Sequence, residues 1–356
     1  MIRRPPRSTL DRSSAASDVY KRQVQIGIPG QTYIIDPINL EGISPLGDLL
    51  RDDSITKVLH AGDYDVRSLD RDWGFRIHNL FDTHIAAAFI GLKRLGLAAV
   101  LQDVMDITIT KEKSIQRQDW AKRPLNTESL TYATADVLYL IELQDVLASK
   151  ISELGRTSWV NEEFTRQSNI KYSPPDVENA VFGVKGSREL DGRALAVLKR
   201  LLQYRDQKAL AADLPPFKVI PDSTLLTISS TTENDLRKVK GLGRFVRQPL
   251  FTELKEAINE GLSAPPLSRP NRPNAPRLTV AQRTESRERL KMLKTWRAGL
   301  GYQLQLDPAL LWPAVSLERI ARNLSSLENE MESREVRGWQ AAEFGKSLGE
   351  QVALMQ

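Results

Sequence analysis

The sequence predicts an α/β domain followed by two all-α helical bundles, and three observations support this fold class. Short apolar segments typical of strands alternate with helical segments from Val24 to about residue 154, as in an α/β domain. The C-terminal half contains a repeat, and a segment rich in proline separates its two copies. With 356 residues, of which 41% are hydrophobic, the chain is long enough for two or three domains.

The elements of the first part follow from residue type and spacing. Apolar runs at 24–28 and 32–36 flank Pro29-Gly30 and predict a β-hairpin. Asn126 is a suitable N-cap for a long helix because its side-chain oxygen can accept from a backbone N–H. The remaining predicted elements are strands at 57–60 and 80–83 and helices at 44–51, 64–73, 84–89, 97–105 and 127–154.

The second half is organised by a repeat at a constant offset of 92 residues. Its identities include two prolines, five residues apart, in each copy. This pattern predicts duplicated helical modules, joined by a Pro/Arg linker at 264–283. The residues Leu198, Leu201, Arg205, Leu214, Pro216, Pro221, Leu225 and Gln248 match Leu290, Leu293, Arg297, Leu306, Pro308, Pro313, Leu317 and Gln340.

Composition and charge narrow the class of function. The chain has no cysteine, which excludes disulfides and thiolate metal sites and favours a reducing, cytoplasmic compartment. No run of 18 apolar residues is present, so we expect no membrane span. The net charge of +5 is uneven, because residues 23–183 are predominantly acidic and residues 184–263 predominantly basic. This division predicts cation-binding carboxylates in the first part and phosphate-attracting surface in the second, although solvated charge at random positions is the alternative.

Residues 1–22 differ from the rest of the chain. They lack apolar periodicity and are rich in Arg, Ser and Pro. A targeting peptide is one interpretation, but there is no apolar segment of the kind a secretory signal requires. We interpret the segment as a foreign or mistranslated leader that does not contribute to the fold.

Two short clusters contain the residue types needed for chemistry. The first is His60-Ala61-Gly62-Asp63-Tyr64-Asp65, directly after a predicted buried strand, and the second is Tyr132-Ala133-Thr134-Ala135-Asp136. On a helix, Tyr132 and Asp136 share one face because they are four residues apart. A carboxylate after a strand and a Tyr/Asp pair on one helix are suited to metal-assisted phosphodiester hydrolysis. Taken singly, each residue has a structural alternative: a helix N-terminal carboxylate, a core aromatic and an exposed helical acid.

These clusters resemble the ribonuclease D family, which are 3′→5′ exonucleases of the DEDD type with a tyrosine in the last motif. The segment Asp119-Trp120-Ala121-Lys122-Arg123-Pro124-Leu125 and the pair Asp82-Thr83 add to the resemblance. It implies a ribonuclease H-like exonuclease domain at 23–172. It also implies a site for two divalent ions, Mg²⁺ or Mn²⁺, with Asp65 and Asp136 among the ligands. Tyr132 would orient or deprotonate the attacking water.

The first helical copy, residues 184–263, resembles the HRDC domain, and residues 284–356 resemble a diverged HRDC domain. In the first copy, a nucleic-acid-binding segment is predicted to contribute Lys238, Lys240, Gly241, Gly243 and Arg244. The alternative is that its glycines only close a turn between helices. The second copy carries no net charge, so we expect it to pack or to aid positioning rather than to bind RNA strongly.

One departure from the family pattern bears on activity. The opening strand with Asp-x-Glu should precede the hairpin at Val24, and residues 1–22 contain aspartates but no glutamate. In this family that strand lies in the middle of the sheet, so its loss would remove two metal ligands and leave backbone groups unpaired. We therefore expect a chain that is truncated at its N-terminus and has little or no nuclease activity.

The predicted function is a 3′→5′ exoribonuclease that trims structured RNA precursors, chiefly tRNA, as a cytoplasmic monomer without a membrane partner. Two other classes remain open. One is a non-catalytic nucleic-acid-binding remnant, and the other is a 3′→5′ exonuclease of DNA. Metal-dependent release of mononucleotides, and a comparison of RNA with DNA, separate the three.

Overall fold

The computed structural model describes residues 23–37, 40, 42–109, 115, 120, 122–174, 176–212, 214–230, 236, 239–242, 249–270 and 278–355. These residues fall into two compact units. The first unit combines the α/β part, which ends at Tyr172, with the C-terminal helices that follow residue 278. The second unit holds the helices between Ser173 and residue 270.

The described strands form two separate two-stranded sheets. β1 (Val24–Ile28) and β2 (Gln31–Ile35) pair antiparallel as a hairpin, and β3 (Lys57–Leu59) runs parallel to β4 (Leu80–Asp82). All four strands lie within one residue of the predicted positions. The strand that would join the two sheets is not among the described residues. Because residues 1–22 lie outside that part of the chain, the absence of an Asp-x-Glu strand stays a prediction.

Seven helices complete the α/β part as far as it is described: α1 (Ser44–Arg51), α2 (Asp63–Trp73), α3 (Thr83–Phe89), α4 (Leu97–Met105), α5 (Thr127–Ala135), α6 (Leu140–Glu153) and α7 (Thr157–Ser168). α1 and α4 begin and end at the predicted residues. The prediction of one helix over 127–154 is wrong, because the helix is interrupted between α5 and α6.

α7 has no counterpart among the predicted elements. Its buried residues Val160, Phe164 and Gln167 are four and three positions apart, so one face of the helix points inward.

The second unit is a helical bundle with its own apolar core. Its helices are α8 (Ala180–Gly183), α9 (Gly192–Ala211), α10 (Pro216–Val219), α11 (Asp222–Ser230) and α12 (Leu250–Ser263). α9 is the central helix and packs against α11 and α12. Leu198, Leu201 and Leu254 are fully buried in this core.

The C-terminal helices belong to the first unit. They are α13 (Val280–Leu304), α14 (Pro308–Leu311), α15 (Ala314–Arg322), α16 (Leu327–Met331) and α17 (Gly338–Ala353). Their buried side chains, such as Trp312 and Leu348, lie in the same apolar core as Phe89 and Leu143 of the α/β part. Among the described helices, none is both long enough and apolar enough to cross a membrane.

The repeat seen in the sequence corresponds to a repeated order of elements. α10 and α14, like α11 and α15, begin and end 92 residues apart. The matched arginines also make the same bond: Nη1 of Arg205 donates to the Ile220 carbonyl (3.4 Å), and Nη1 of Arg297 donates to the Trp312 carbonyl (2.7 Å). The predicted duplication of helical modules therefore agrees with the structure, whereas a second HRDC domain at 284–356 stays a prediction.

Aromatic stacking joins the C-terminal helices to the α/β part. The rings of Trp159 and Trp339 stack at 4.8 Å between centroids, and Phe89 meets Trp339 edge-on at 5.4 Å. Aromatic pairs with these geometries add stability beyond the area they bury. The start of α17 is also held, because both Glu162 carboxylate oxygens accept from backbone N–H groups of Gly338 and Trp339 at 2.8 Å. A carboxylate is favourable at the positive end of the helix dipole.

A buried arginine makes the same connection at a second point. Arg156 donates to the carbonyl oxygens of Phe89 and Leu304, both at 2.6 Å. Burial lowers the pKa of this guanidinium from its ordinary value. Because it links the end of α3 to the end of α13, the C-terminal helices form one packed body with the α/β part.

Candidate active site

Tyr132 and Asp136 lie one helical turn apart at the C-terminal end of α5. Asn126 caps this helix by accepting from the Ser129 N–H at 2.8 Å, which confirms the predicted cap. Asp136 is the C-cap residue and keeps a right-handed helical conformation, so the two side chains still share a face. Both are buried, with Tyr132 6% and Asp136 1% exposed, so Asp136 is not the exposed helical acid of the alternative interpretation.

The hairpin supports this end of α5. Ile34 of β2 packs with Tyr132, and the Trp120 ring lies 5.9 Å from the Tyr132 ring. Gly27 of β1 lies so close to Val137 that an added Cβ would be 3.1 Å from the Val137 carbonyl oxygen. The first residue after Asp136 is therefore in close contact with a strand, with little room for a side chain at position 27.

The segment before α5 is anchored to the end of the hairpin. Arg123 donates to the Asp36 carboxylate with Nε at 2.5 Å and Nη2 at 2.8 Å. Its Nη1 also donates to the Trp120 carbonyl at 2.8 Å. These bonds hold the Trp120 ring beside Tyr132. Asp119, the first residue of this predicted motif, lies outside the described residues.

Asp65 lies in the first turn of α2 and is 4% exposed. The turn before this helix is tight. Ala61 has a positive φ of 55°, and a Cβ on Gly62 would be 2.5 Å from Leu59 Cδ1. A side chain at position 62 would therefore displace the strand residue that precedes the turn.

The segments that carry the two aspartates meet in the apolar core. α6 packs against β3, and Val58 of β3 shares one core cluster with Val137 and Leu140. Asp65 follows β3 after a short turn, and Asp136 precedes Val137. β3 and the break between α5 and α6 therefore contribute to the same apolar core, and each lies next in the chain to a segment that carries one of the two aspartates. Their roles stay a prediction.

The described residues do not form a complete metal site. Within them, no group of three or more His, Asp or Glu side chains could hold a metal ion. Asp65 and Asp136 are hard oxygen ligands of the type that Mg²⁺ and Mn²⁺ prefer. The resemblance implies four carboxylates, of which Asp65 and Asp136 would be two and the Asp-x-Glu strand would hold the other two.

Asp82 makes hydrogen bonds to distant residues that its place in the sequence does not predict. It ends β4, is fully buried, and caps α3 by accepting from the His84 and Ile85 N–H groups at 2.8 and 3.4 Å. It also accepts from the backbone N–H groups of Ala61 at 3.0 Å and Gly62 at 2.7 Å. An Asp before an alanine-rich helix is a recognisable N-cap. The bonds to residues 61 and 62 depend on tertiary structure and have no local signal.

Each of the three histidines makes a contact that accounts for it as a structural residue. His60 is 3% exposed, and its Nδ1 lies 2.9 Å from Thr83 Oγ1, as predicted for a packed or hydrogen-bonded residue. His84 Nδ1 lies 3.1 Å from the Leu95 carbonyl oxygen. His78 pairs with Asp53 at 3.3 Å on the surface.

In the second unit, only Lys240 and Gly241 of the predicted nucleic-acid-binding residues are described. Lys238, Gly243 and Arg244 lie outside the described residues. Lys240 is exposed, and its carbonyl accepts from Thr224 Oγ1 at 3.1 Å. Gly241 has a φ of 93°, and an added Cβ would be 2.2 Å from that same hydroxyl oxygen. The turn therefore requires this glycine, and the binding role of the segment stays a prediction.

Comparison with known proteins identifies the parts of the chain. The 3'-5' exonuclease family model matches residues 10–152, and the HRDC domain model matches residues 194–257. The first match includes part of the predicted leader. Ribonuclease D of Desulfotalea psychrophila is 29% identical over 85% of this chain and 80% of its own length. Ribonuclease D of Jannaschia sp. is 31% identical over 73% of this chain and 70% of its own length.

A solved structure shows the same fold. Escherichia coli RNase D superposes with a TM-score of 0.64 and 23% identity, covering 94% of this chain and 90% of the other. The ribonuclease H-like fold and the matched models define a 3′→5′ exoribonuclease with an HRDC domain. The relatives then place it more narrowly: the chain belongs to the ribonuclease D family.

Proposed function

We propose that this exoribonuclease trims the 3′ ends of structured RNA precursors, chiefly tRNA precursors, as a cytoplasmic monomer. The observation that carries the proposal is the buried Tyr132/Asp136 pair at the break between α5 and α6, together with the buried Asp65 in the first turn of α2. The Escherichia coli relative is described as an exoribonuclease involved in structured RNA processing, which supports the substrate class.

In the proposed chemistry, Asp65 and Asp136 serve as ligands to divalent ions, Mg²⁺ or Mn²⁺, in a two-metal site. Exonucleases of this type generally use divalent metals. When bound, such ions stabilise negative charge on the attacking and leaving oxygens. A phenol with a pKa of about 10 is a poor base at neutral pH. Tyr132 is therefore assigned to orient the attacking water.

The assay that tests this proposal compares substrates and metals. The outcome that supports this proposal is release of mononucleotides from the 3′ end of an extended tRNA-like RNA by the purified chain with Mg²⁺ or Mn²⁺, ending when the metal is chelated. The same outcome would contradict the expectation of little or no activity. A DNA of the same sequence is the matched substrate. Equal degradation of the DNA would contradict the RNA assignment. Binding of RNA without release of mononucleotides would favour the non-catalytic alternative.

We also propose that the second unit holds the body of the RNA through the segment around Lys240. The exposed lysine and the basic character of residues 184–263 support this role. The HRDC match covers residues 194–257, which include Lys240 and Gly241.

Replacing Lys240 with alanine should weaken RNA binding and reduce its salt dependence. Loss of one phosphate contact is expected to lower the slope of log K against log salt by about 1. The measurement is fluorescence anisotropy with labelled RNA over a range of salt concentrations. Lys218→Ala is the control, because Lys218 is also an exposed lysine of the second unit. An unchanged slope for Lys240→Ala would remove this residue from the interface.

A further inference from the structure

We infer that Asp82 is a positioning residue for Asp65, acting through the turn that joins β3 to α2. The inference rests on the proposed function, because it assumes that the Asp65 carboxylate serves the reaction. It assigns a role to a buried carboxylate that the proposed chemistry does not use.

The Asp82 carboxylate joins three segments that are distant in the sequence. Oδ1 accepts from the N–H groups of Ala61 and His84, and Oδ2 accepts from the Gly62 N–H and from Gln167 Nε2, both at 2.7 Å. Gln167 belongs to α7. The carboxylate thus connects the turn before α2, the start of α3 and the end of α7.

The charge of Asp82 is balanced by N–H groups. Among the described residues, no cationic side chain pairs with it, and its partners are backbone amides and one side-chain amide. Hydrogen bonds to an ionised carboxylate are stronger than those between neutral groups, and the start of α3 adds the favourable end of a helix dipole. A neutral residue of the same shape would therefore hold these donors less firmly.

The turn that Asp82 holds is one that the backbone does not favour. Ala61 lies in the left-handed region at φ 55°, where residues with a side chain are uncommon. Such a conformation persists only where neighbouring groups hold it, and both Ala61 and Gly62 donate to Asp82. A second hydrogen bond supports the same turn, because Thr83 Oγ1 donates to the Leu59 carbonyl at 3.0 Å.

The position of the turn decides the position of Asp65. α2 starts at Asp63, and the Val66 N–H donates to the Gly62 carbonyl at 2.9 Å. Because Gly62 is the N-cap of the helix, a change in its backbone would redirect the first turn, in which Asp65 lies. Asp82 would therefore act on the reaction through Asp65, without touching the substrate.

The test is Asp82→Asn in the full chain. The amide keeps the shape of the side chain, but its NH₂ group must face one of the donors that now bind a carboxylate oxygen. Asp82→Ser is a second variant, in case the first does not fold, because serine can still cap α3. Asp191→Asn is the matched control: Asp191 caps α9 of the second unit by accepting from the Ala194 N–H at 2.8 Å.

Two measurements are made on each variant that is folded by circular dichroism. Hydrogen exchange reports on the amides of Ala61 and Gly62, and steady-state kinetics separates kcat from the KM for RNA. For Asp82→Ser we expect both amides to exchange about tenfold faster or more, since hydrogen bonds to a charged group are lost. For Asp82→Asn we expect this of at least the amide that the new NH₂ group faces. We expect kcat to fall by a similar factor with little change in KM. Asp191→Asn should change neither quantity.

Unchanged exchange at these amides would overturn the inference. So would faster exchange with a wild-type kcat, since Asp82 would then have only a structural role. Asp65→Asn is measured in parallel to keep the two proposals apart. If Asp65→Asn retains the wild-type rate, the assignment of Asp65 fails, whereas the exchange data still report whether Asp82 holds the turn.

Discussion

In a chain that carries the Asp-x-Glu strand, Asp136→Asn and Asp65→Asn are each expected to lower the exonuclease rate by about a thousandfold or more, because metal ligation provides several kcal/mol of transition-state stabilisation. Asparagine keeps the volume of each buried side chain, so the fold should be retained. Its amide is a weaker ligand for a hard cation than a carboxylate is. The measurement is single-turnover release of mononucleotides, with RNA binding by anisotropy to show that the substrate still binds.

Asp145→Asn is the matched control for these variants. Asp145 is an exposed acid of α6, and α6 begins four residues after Asp136. Its substitution should leave the rate within about twofold of wild type, as surface changes away from special features usually do. A wild-type rate in Asp136→Asn or in Asp65→Asn would remove that residue from the site. Loss of RNA binding together with the rate would point to misfolding instead.

Trp339→Ala is expected to destabilise the first unit by about 3–5 kcal/mol, the usual cost of truncating a buried tryptophan. Trp339 is 5% exposed, stacks on Trp159 and donates from Nε1 to Glu163 at 3.1 Å. Truncation would leave a cavity against Trp159 and Phe89 of the α/β part. Since domains are typically stable by about 5–15 kcal/mol, the loss should be large relative to the whole.

The measurement for Trp339→Ala is urea unfolding followed by circular dichroism, which does not depend on tryptophan fluorescence. Tyr302→Ala is the control, because Tyr302 lies in α13 and is 81% exposed. Its effect should stay within about 0.5 kcal/mol. If Trp339→Ala shifted only a minor transition and left exonuclease activity at full stability, the C-terminal helices would be a separate domain.

Much of the local structure was predictable from the sequence because its determinants are local. α1 and α4 follow from runs of helix-forming residues between turn signals, and the hairpin follows from Pro29-Gly30 between two apolar runs. The constant offset between the two helical copies likewise predicted duplicated helical modules, and α14 and α15 lie 92 residues after α10 and α11.

The prediction that was wrong, and the features that were not predicted, depend on contacts between residues that are distant in the sequence. The apolar pattern over 127–154 continues through 136–139, so it does not indicate the break between α5 and α6, where Val137 lies against Gly27 of the hairpin. The site residues were predicted through motifs, whose residue types suggested chemistry, and their burial and support came only from the structure. Asp82 was noticed as part of a strand, but its bonds span 20 and 85 positions to Gly62 and Gln167.

By itself, the sequence predicted the four strands, the helices α1 to α4, the repeated helical modules and the residue types of a nuclease site. It did so because propensity, caps and periodicity act over a few neighbouring residues. Only the tertiary structure decided that the C-terminal helices share one core with the α/β part, and that the Asp82 carboxylate holds the turn before Asp65. Those features depend on packing and hydrogen bonds between segments that meet only when the chain is folded.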